Sequence, residues 1–206
     1  MSTTPAVLKT AAPTEAVTGA PFLRNLLMWV LSFLVIPIAG YIGTLLVGRV
    51  DNVVAALIGG AIVGLMVGAV QALVSRGRLP LLRWSIASTI GTSVGVAVGT
   101  VAIGFQTSLA ALALGGLITG IIVGIAQTLA LSATTRFRWI WLPVTATLWP
   151  LAWTVTTLAG IKVEQQFILF GATGAFVYTV LAGLVLQLLL PWPTAKTATP
   201  AVPARR

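Results

Sequence analysis

Gly116-Leu117-Ile118-Thr119-Gly120-Ile121-Ile122-Val123-Gly124-Ile125-Ala126-Gln127 carries a glycine at every fourth position, with mostly hydrocarbon side chains between. Four residues is close to one helical turn, so the glycines line up on one face of a helix. A face without side chains lets a second helix approach closely, which is the usual packing device of helices in a bilayer. The same device stands 56 residues earlier as Gly60, Gly64 and Gly68, followed by Gln71. A third stripe is Gly91, Gly95 and Gly99. Helix packing is the reading taken for all three stripes, ahead of a narrow path lined by backbone.

Composition agrees with that setting. Mean hydropathy is +1.05, hydrophobic residues make up 58% of the chain and charged residues only 7%. Soluble domains carry about 25% charged residues, so this chain reads as an integral membrane protein. With 206 residues it fits one domain. There is no cysteine and no histidine. That removes disulfides, thiol nucleophiles and the commonest general base and metal ligand. No acid, base and nucleophile are grouped, so no enzyme, cofactor or metal is expected. The net charge of +9 sits at the ends of apolar segments. It therefore reads as a topology signal and as contact with anionic lipid at the cytoplasmic face, not as a nucleic-acid surface.

The apolar segments fall at about 22–47, 53–75, 84–104, 108–132, 139–160 and 167–190. Each is near the ~20 residues that cross a bilayer. The expected fold is all-α, with six transmembrane helices over 21–190. Residues 1–20, rich in Ala, Thr and Pro, read as a disordered tail rather than a secretory signal. Residues 191–206, with Pro191, Pro193, Pro200 and Pro203, read as a second such tail.

Three landmarks keep one period. Trp29, Trp84 and Trp139 open the odd helices, 55 and 55 residues apart. Gly48, Gly104 and Gly160 close them, 56 and 56 apart. Gly60, Gly116 and Gly171 begin the glycine faces of the even helices, 56 and 55 apart. A fixed period of this length marks tandem structural repeats. The helices thus read as three hairpins, about 22–75, 84–132 and 139–190, around a pseudo-three-fold axis. Ten of the twelve basic residues fall on one side of such a bundle, leaving Arg49 and Lys162 on the other. The positive-inside rule then puts both termini in the cytoplasm of a bacterial cell. Trp29, Trp84, Trp139, Trp141 and Trp192 are expected at the cytoplasmic interface.

Four polar residues form the candidate site: Gln71, Gln127, Asp51 and Glu164. An amide in hydrocarbon is costly unless hydrogen-bonded. Gln71 and Gln127 are therefore read first as interhelical hydrogen bonds and second as a ring for a neutral solute. Asp51 and Glu164 lie in matching turns, Arg49-Val50-Asp51-Asn52 and Lys162-Val163-Glu164-Gln165. Solvated turn residues are preferred there over a mouth for a cation or a docking edge. Serines and threonines of the third and fifth helices should bond back to their own helix or to a neighbour. Pro37 and Pro150 should kink theirs.

The pattern Gly-x-x-x-Gly-x-x-x-Gly-x-x-Gln, followed by a basic loop and Trp, resembles uncharacterised bacterial multi-pass membrane proteins with tandem glycine-zipper hairpins. The resemblance covers most of the bundle and implies no activity. Together these readings point to a structural or accessory bundle, with a membrane-protein partner or a second copy of itself as its associate. A small transporter or channel for a neutral solute is the alternative, built on repeats as transporters often are.

Overall fold

The structure, a computed structural model, describes residues 19–161 and 168–190. Glu164, its turn and both expected tails beyond these limits lie outside the described residues. The described residues are helices and turns with no strand. The helices are α1 (Gly19–Leu31), α2 (Val35–Val47), α3 (Val53–Val74), α4 (Leu81–Ala102), α5 (Leu109–Ala130), α6 (Trp141–Leu158) and α7 (Ala172–Leu189).

Among the described residues, five helical stretches are long and apolar enough to cross a membrane: Phe22–Val47, Val53–Val74, Leu81–Ala102, Leu109–Ala130 and Ala172–Leu189. The first joins α1 and α2 through a 3-10 turn at Ser32–Leu34. Pro37 accounts for that turn, because it has no N–H to offer the Phe33 carbonyl and its ring crowds that oxygen. Of the six segments read from sequence, α6 is the one outside this set. Its 18 residues include five threonines, three tryptophans and two prolines, which dilute its hydrocarbon.

Local signals set the helix ends. Asn52 caps α3, its Oδ1 accepting from the Ala55 N–H at 2.9 Å. Ser108 caps α5 in the same way, from the Ala111 N–H at 3.3 Å. Such caps satisfy N–H groups that a helix cannot bond internally. At the opposite ends of α2, α4 and α6, Gly48, Gly104 and Gly160 take φ of 71°, 60° and 74°, a left-handed turn that glycine adopts without strain.

From α3 to α7 consecutive helices pack antiparallel, and each of the three glycine stripes lies against the helix that follows it. Gly60 faces Thr92 and Ser93, Gly64 faces Ser88 and Thr89, and Gly68 faces Ser85 and Ser88 of α4. Gly91, Gly95 and Gly99 lie against Val123, Thr119 and Gly115 of α5. Gly116, Gly120 and Gly124 lie against Pro150, Thr145 and Leu142 of α6. Gly174 then meets Ala152 and Thr156, and Gly183 meets Trp29. That last contact brings α7 onto α1 and closes a ring. Connections 75–80 and 131–137 therefore share one end with the start of α1 and the end of α7. The turns at Gly48, Gly104 and Gly160 share the other.

Along the helices many outward side chains are hydrocarbon, with Leu45, Leu82 and Leu188 among the most exposed. An apolar exterior around a polar-containing interior fits contact with a lipid bilayer.

Candidate functional site

The interior polar groups come together at the centre of this ring. Gln71 and Gln127 are both buried. Gln71 Oε1 accepts from Trp84 Nε1 at 3.1 Å. Gln127 Oε1 accepts from Trp141 Nε1 at 2.9 Å, and Gln127 Nε2 donates to Ser88 Oγ at 2.8 Å. Each glutamine thus binds the tryptophan of the next helix, and Gln127 also ties α5 back to α4. Trp29 completes the set by donating to the Thr179 backbone carbonyl of α7 at 3.1 Å.

This geometry corrects the tryptophan register. Trp29, Trp84 and Trp141 are buried in the bundle and do not face an interface. Trp139 is 54% exposed. The dipeptides Arg83-Trp84 and Arg138-Trp139 match as sequence, but a 3-10 turn at Arg138–Ile140 precedes α6 and displaces the second pair. Trp141, two residues further on, bonds a glutamine as Trp84 does. Spacing from glutamine to tryptophan, 13 residues from Gln71 to Trp84 and 12 or 14 from Gln127, does not choose between Trp139 and Trp141.

On α7 the buried amide is Gln187. Gln187 Oε1 accepts from the Arg78 guanidinium. The same guanidinium donates to the backbone carbonyls of Gln187 at 3.3 Å and Leu190 at 2.9 Å. These are carbonyls at the end of α7, which have no partner within their own helix. Partial burial lowers the Arg78 pKa from its ordinary value.

A cavity of about 30 Å³ lies beside the glutamines, its polar wall formed by Gln71, Ser88, Thr92, Gln127, Trp149 and Tyr178. Trp149, Trp153 and Tyr178 surround Phe170 as a cage of rings, with centroid distances of 5.3, 6.0 and 5.6 Å. Phe170 belongs to a buried, non-helical segment, 168–170. The sequence reading ran one helix through it from 167. Instead α7 begins at Ala172, after Gly171, and the segment folds into the bundle. Gly43 and Gly59 leave the room that Ile168 occupies. Non-helical backbone at membrane depth is tolerated where protein surrounds it. The apolar run Ile168-Leu169-Phe170 before Gly171 was the available signal, but it is equally compatible with a helix.

A second cavity, about 60 Å³, lies toward the end that carries Val50, Phe105 and Gln106. Trp149 borders both cavities. Asp51 takes no part in either; it is exposed and accepts from the Asn52 side chain at 2.8 Å. Of the four candidate polar residues, the structure brings Gln71 and Gln127 together and leaves Asp51 apart. Glu164 is outside the described residues.

Most of the threonines bond to their own helices. Thr89, Thr147, Thr154 and Thr157 each donate to the carbonyl four residues before. Ser93 instead crosses to the Leu57 carbonyl of α3 at 2.7 Å.

The chain matches no protein-family model, no curated protein and no solved structure.

Proposed function

We propose that the chain is a structural or accessory bundle of a bacterial cytoplasmic membrane, acting as a scaffold or as a subunit of a membrane complex, without catalysis. In this reading α6 is a sixth pass, and three tandem glycine-zipper hairpins form a ring with pseudo-three-fold symmetry. Support for the sixth pass is its antiparallel packing between α5 and α7. The observation that carries the functional reading is how the interior amides are used. Both glutamine carbonyls accept from tryptophans of the bundle itself. A transport site needs groups turned toward a solute, and the cavity beside these is about 30 Å³. Arg24, Arg76, Arg83 and Arg136 are exposed at one end of the ring, which supports a cytoplasmic face against anionic lipid.

The test has two arms. The chain contains no cysteine, so single cysteines at positions 51 and 136 report sidedness with a membrane-impermeant reagent. Position 51 should label in intact cells and position 136 only after lysis; the reverse pattern would overturn the orientation. Purification in mild detergent should recover the bundle with another membrane protein or with a second copy of itself.

A small transporter for a neutral solute is the second reading, favoured by the 60 Å³ cavity that Trp149 separates from the glutamines. A neutral solute that raises the thermal stability of the native protein, but not of a Gln127→Leu variant, would put this reading first.

A further inference from the structure

Trp149 is 5% exposed, and its Nε1 finds no hydrogen-bond partner among the described residues. The Tyr178 ring stands edge-on to it, with centroids 6.2 Å apart. An indole N–H left unmade in a dry interior is costly, and Trp84 and Trp141 show that this bundle otherwise supplies acceptors. The cavity in front of Trp149 is the place where an acceptor is missing. It is walled by hydroxyls and amides from α3, α4, α5 and α7, namely Gln71, Ser88, Thr92, Gln127 and Tyr178.

Size decides what fits. A water needs roughly 10–15 Å³ of such space and two to four polar partners. At about 30 Å³ the cavity admits one or two waters, and both conditions are met. We propose that this cavity is a built water site. A water there accepts the Trp149 Nε1 hydrogen and bonds onward to the Tyr178 hydroxyl and to the Thr92 and Gln71 side chains, joining α6 and α7 to α3 and α4. The water completes the polar centre that Gln71 and Gln127 begin. This inference holds whether the bundle is an accessory protein or a transporter.

Nuclear magnetic resonance of the indole-labelled protein in lipid nanodiscs tests it. Magnetisation should transfer from water to the Trp149 indole proton, and not to the Trp84 and Trp141 protons held by glutamines. The Trp149 signal is assigned by its loss in Trp149→Phe or, if that variant does not purify, by its through-space contacts to the Phe170 ring 5.3 Å away. No transfer to Trp149 would overturn the site. A second measurement reads a sign. Val123→Ile adds one methylene to the cavity wall. If water is there, the variant displaces it and lowers the midpoint of thermal unfolding, and the loss shrinks in a Tyr178→Phe background. If the cavity is dry, the extra methylene fills a void and raises the midpoint, which would also overturn the proposal.

Discussion

Trp141 donates its indole N–H to Gln127 Oε1 at 2.9 Å, fourteen residues back along the chain and one helix away. The bond crosses the gap that Gly124 holds narrow, since Gly124 sits against Leu142, the neighbour of Trp141. Packing and polarity are thus coupled here. The glycine sets the helix separation, and the separation sets the reach of the bond.

Removing either partner should destabilise the bundle. An interhelical hydrogen bond in a membrane protein contributes about 0.6 kcal/mol, up to about 1.7, and an orphaned buried partner costs more. Gln127→Leu should lower the unfolding midpoint more than Gln71→Leu, because Gln127 also serves Ser88. Trp141→Phe should be destabilising and Trp139→Phe close to neutral. Thermal unfolding in detergent of the two single variants and of the double variant Trp141→Phe, Gln127→Leu measures the coupling. Additive losses would mean that the pair does not act as a pair.

The glycines should rank by what their missing side chain would meet. A Cβ at Gly120 would lie 2.5 Å from the Thr145 carbonyl oxygen, part of a helix backbone that cannot step aside. At Gly91 the nearest atoms are 3.1 Å away, and at Gly40 none lies within 4 Å. Gly120→Ala should therefore cut the monodisperse yield sharply, by an overpacking cost of about 1–3 kcal/mol. Gly91→Ala should be milder. Gly40→Ala should be tolerated or slightly stabilising, because alanine favours helix by up to ~1 kcal/mol. Equal behaviour of Gly120→Ala and Gly40→Ala would show that the α5 stripe is not packed against α6.

Arg78 should hold the last turn of α7. Its guanidinium reaches the Gln187 side chain and two terminal carbonyls at once, a fork that lysine lacks. Arg78→Met should speed amide hydrogen exchange in the last turn of α7, leave the centre of α3 protected, and lower the unfolding midpoint. Arg78→Lys should restore only part of the loss. Unchanged exchange at the end of α7 would mean that the contact contributes nothing to holding the ring closed.

Much of the fold is local, and local features can be read from a sequence. The four-residue spacing of Gly116, Gly120 and Gly124 sets them on one helical face whatever the helix packs against. Asn52 and Ser108 are capping residues by their own chemistry, and Gly48, Gly104 and Gly160 permit a left-handed turn by theirs. The scarcity of charge places the helices in lipid before any contact is known. Pro37 foretells a break in the first span because the missing N–H is its own.

What tertiary structure decided is which group meets which. The sequence marks Gln71 and Gln127 as amides in need of partners, but only the packed ring shows that tryptophans supply them. It shows Trp141 in that role because the turn before α6 shifts the register by two residues. The third amide, Gln187, was claimed by an arginine more than a hundred residues away. The segment 168–170 left its helix because the ring has an interior to fill, with Gly43 and Gly59 making room for it. Periodicity along a chain fixes the direction in which a side chain points on its own helix. It carries no information about what stands opposite, and a hydrogen bond or a packed cavity depends on both.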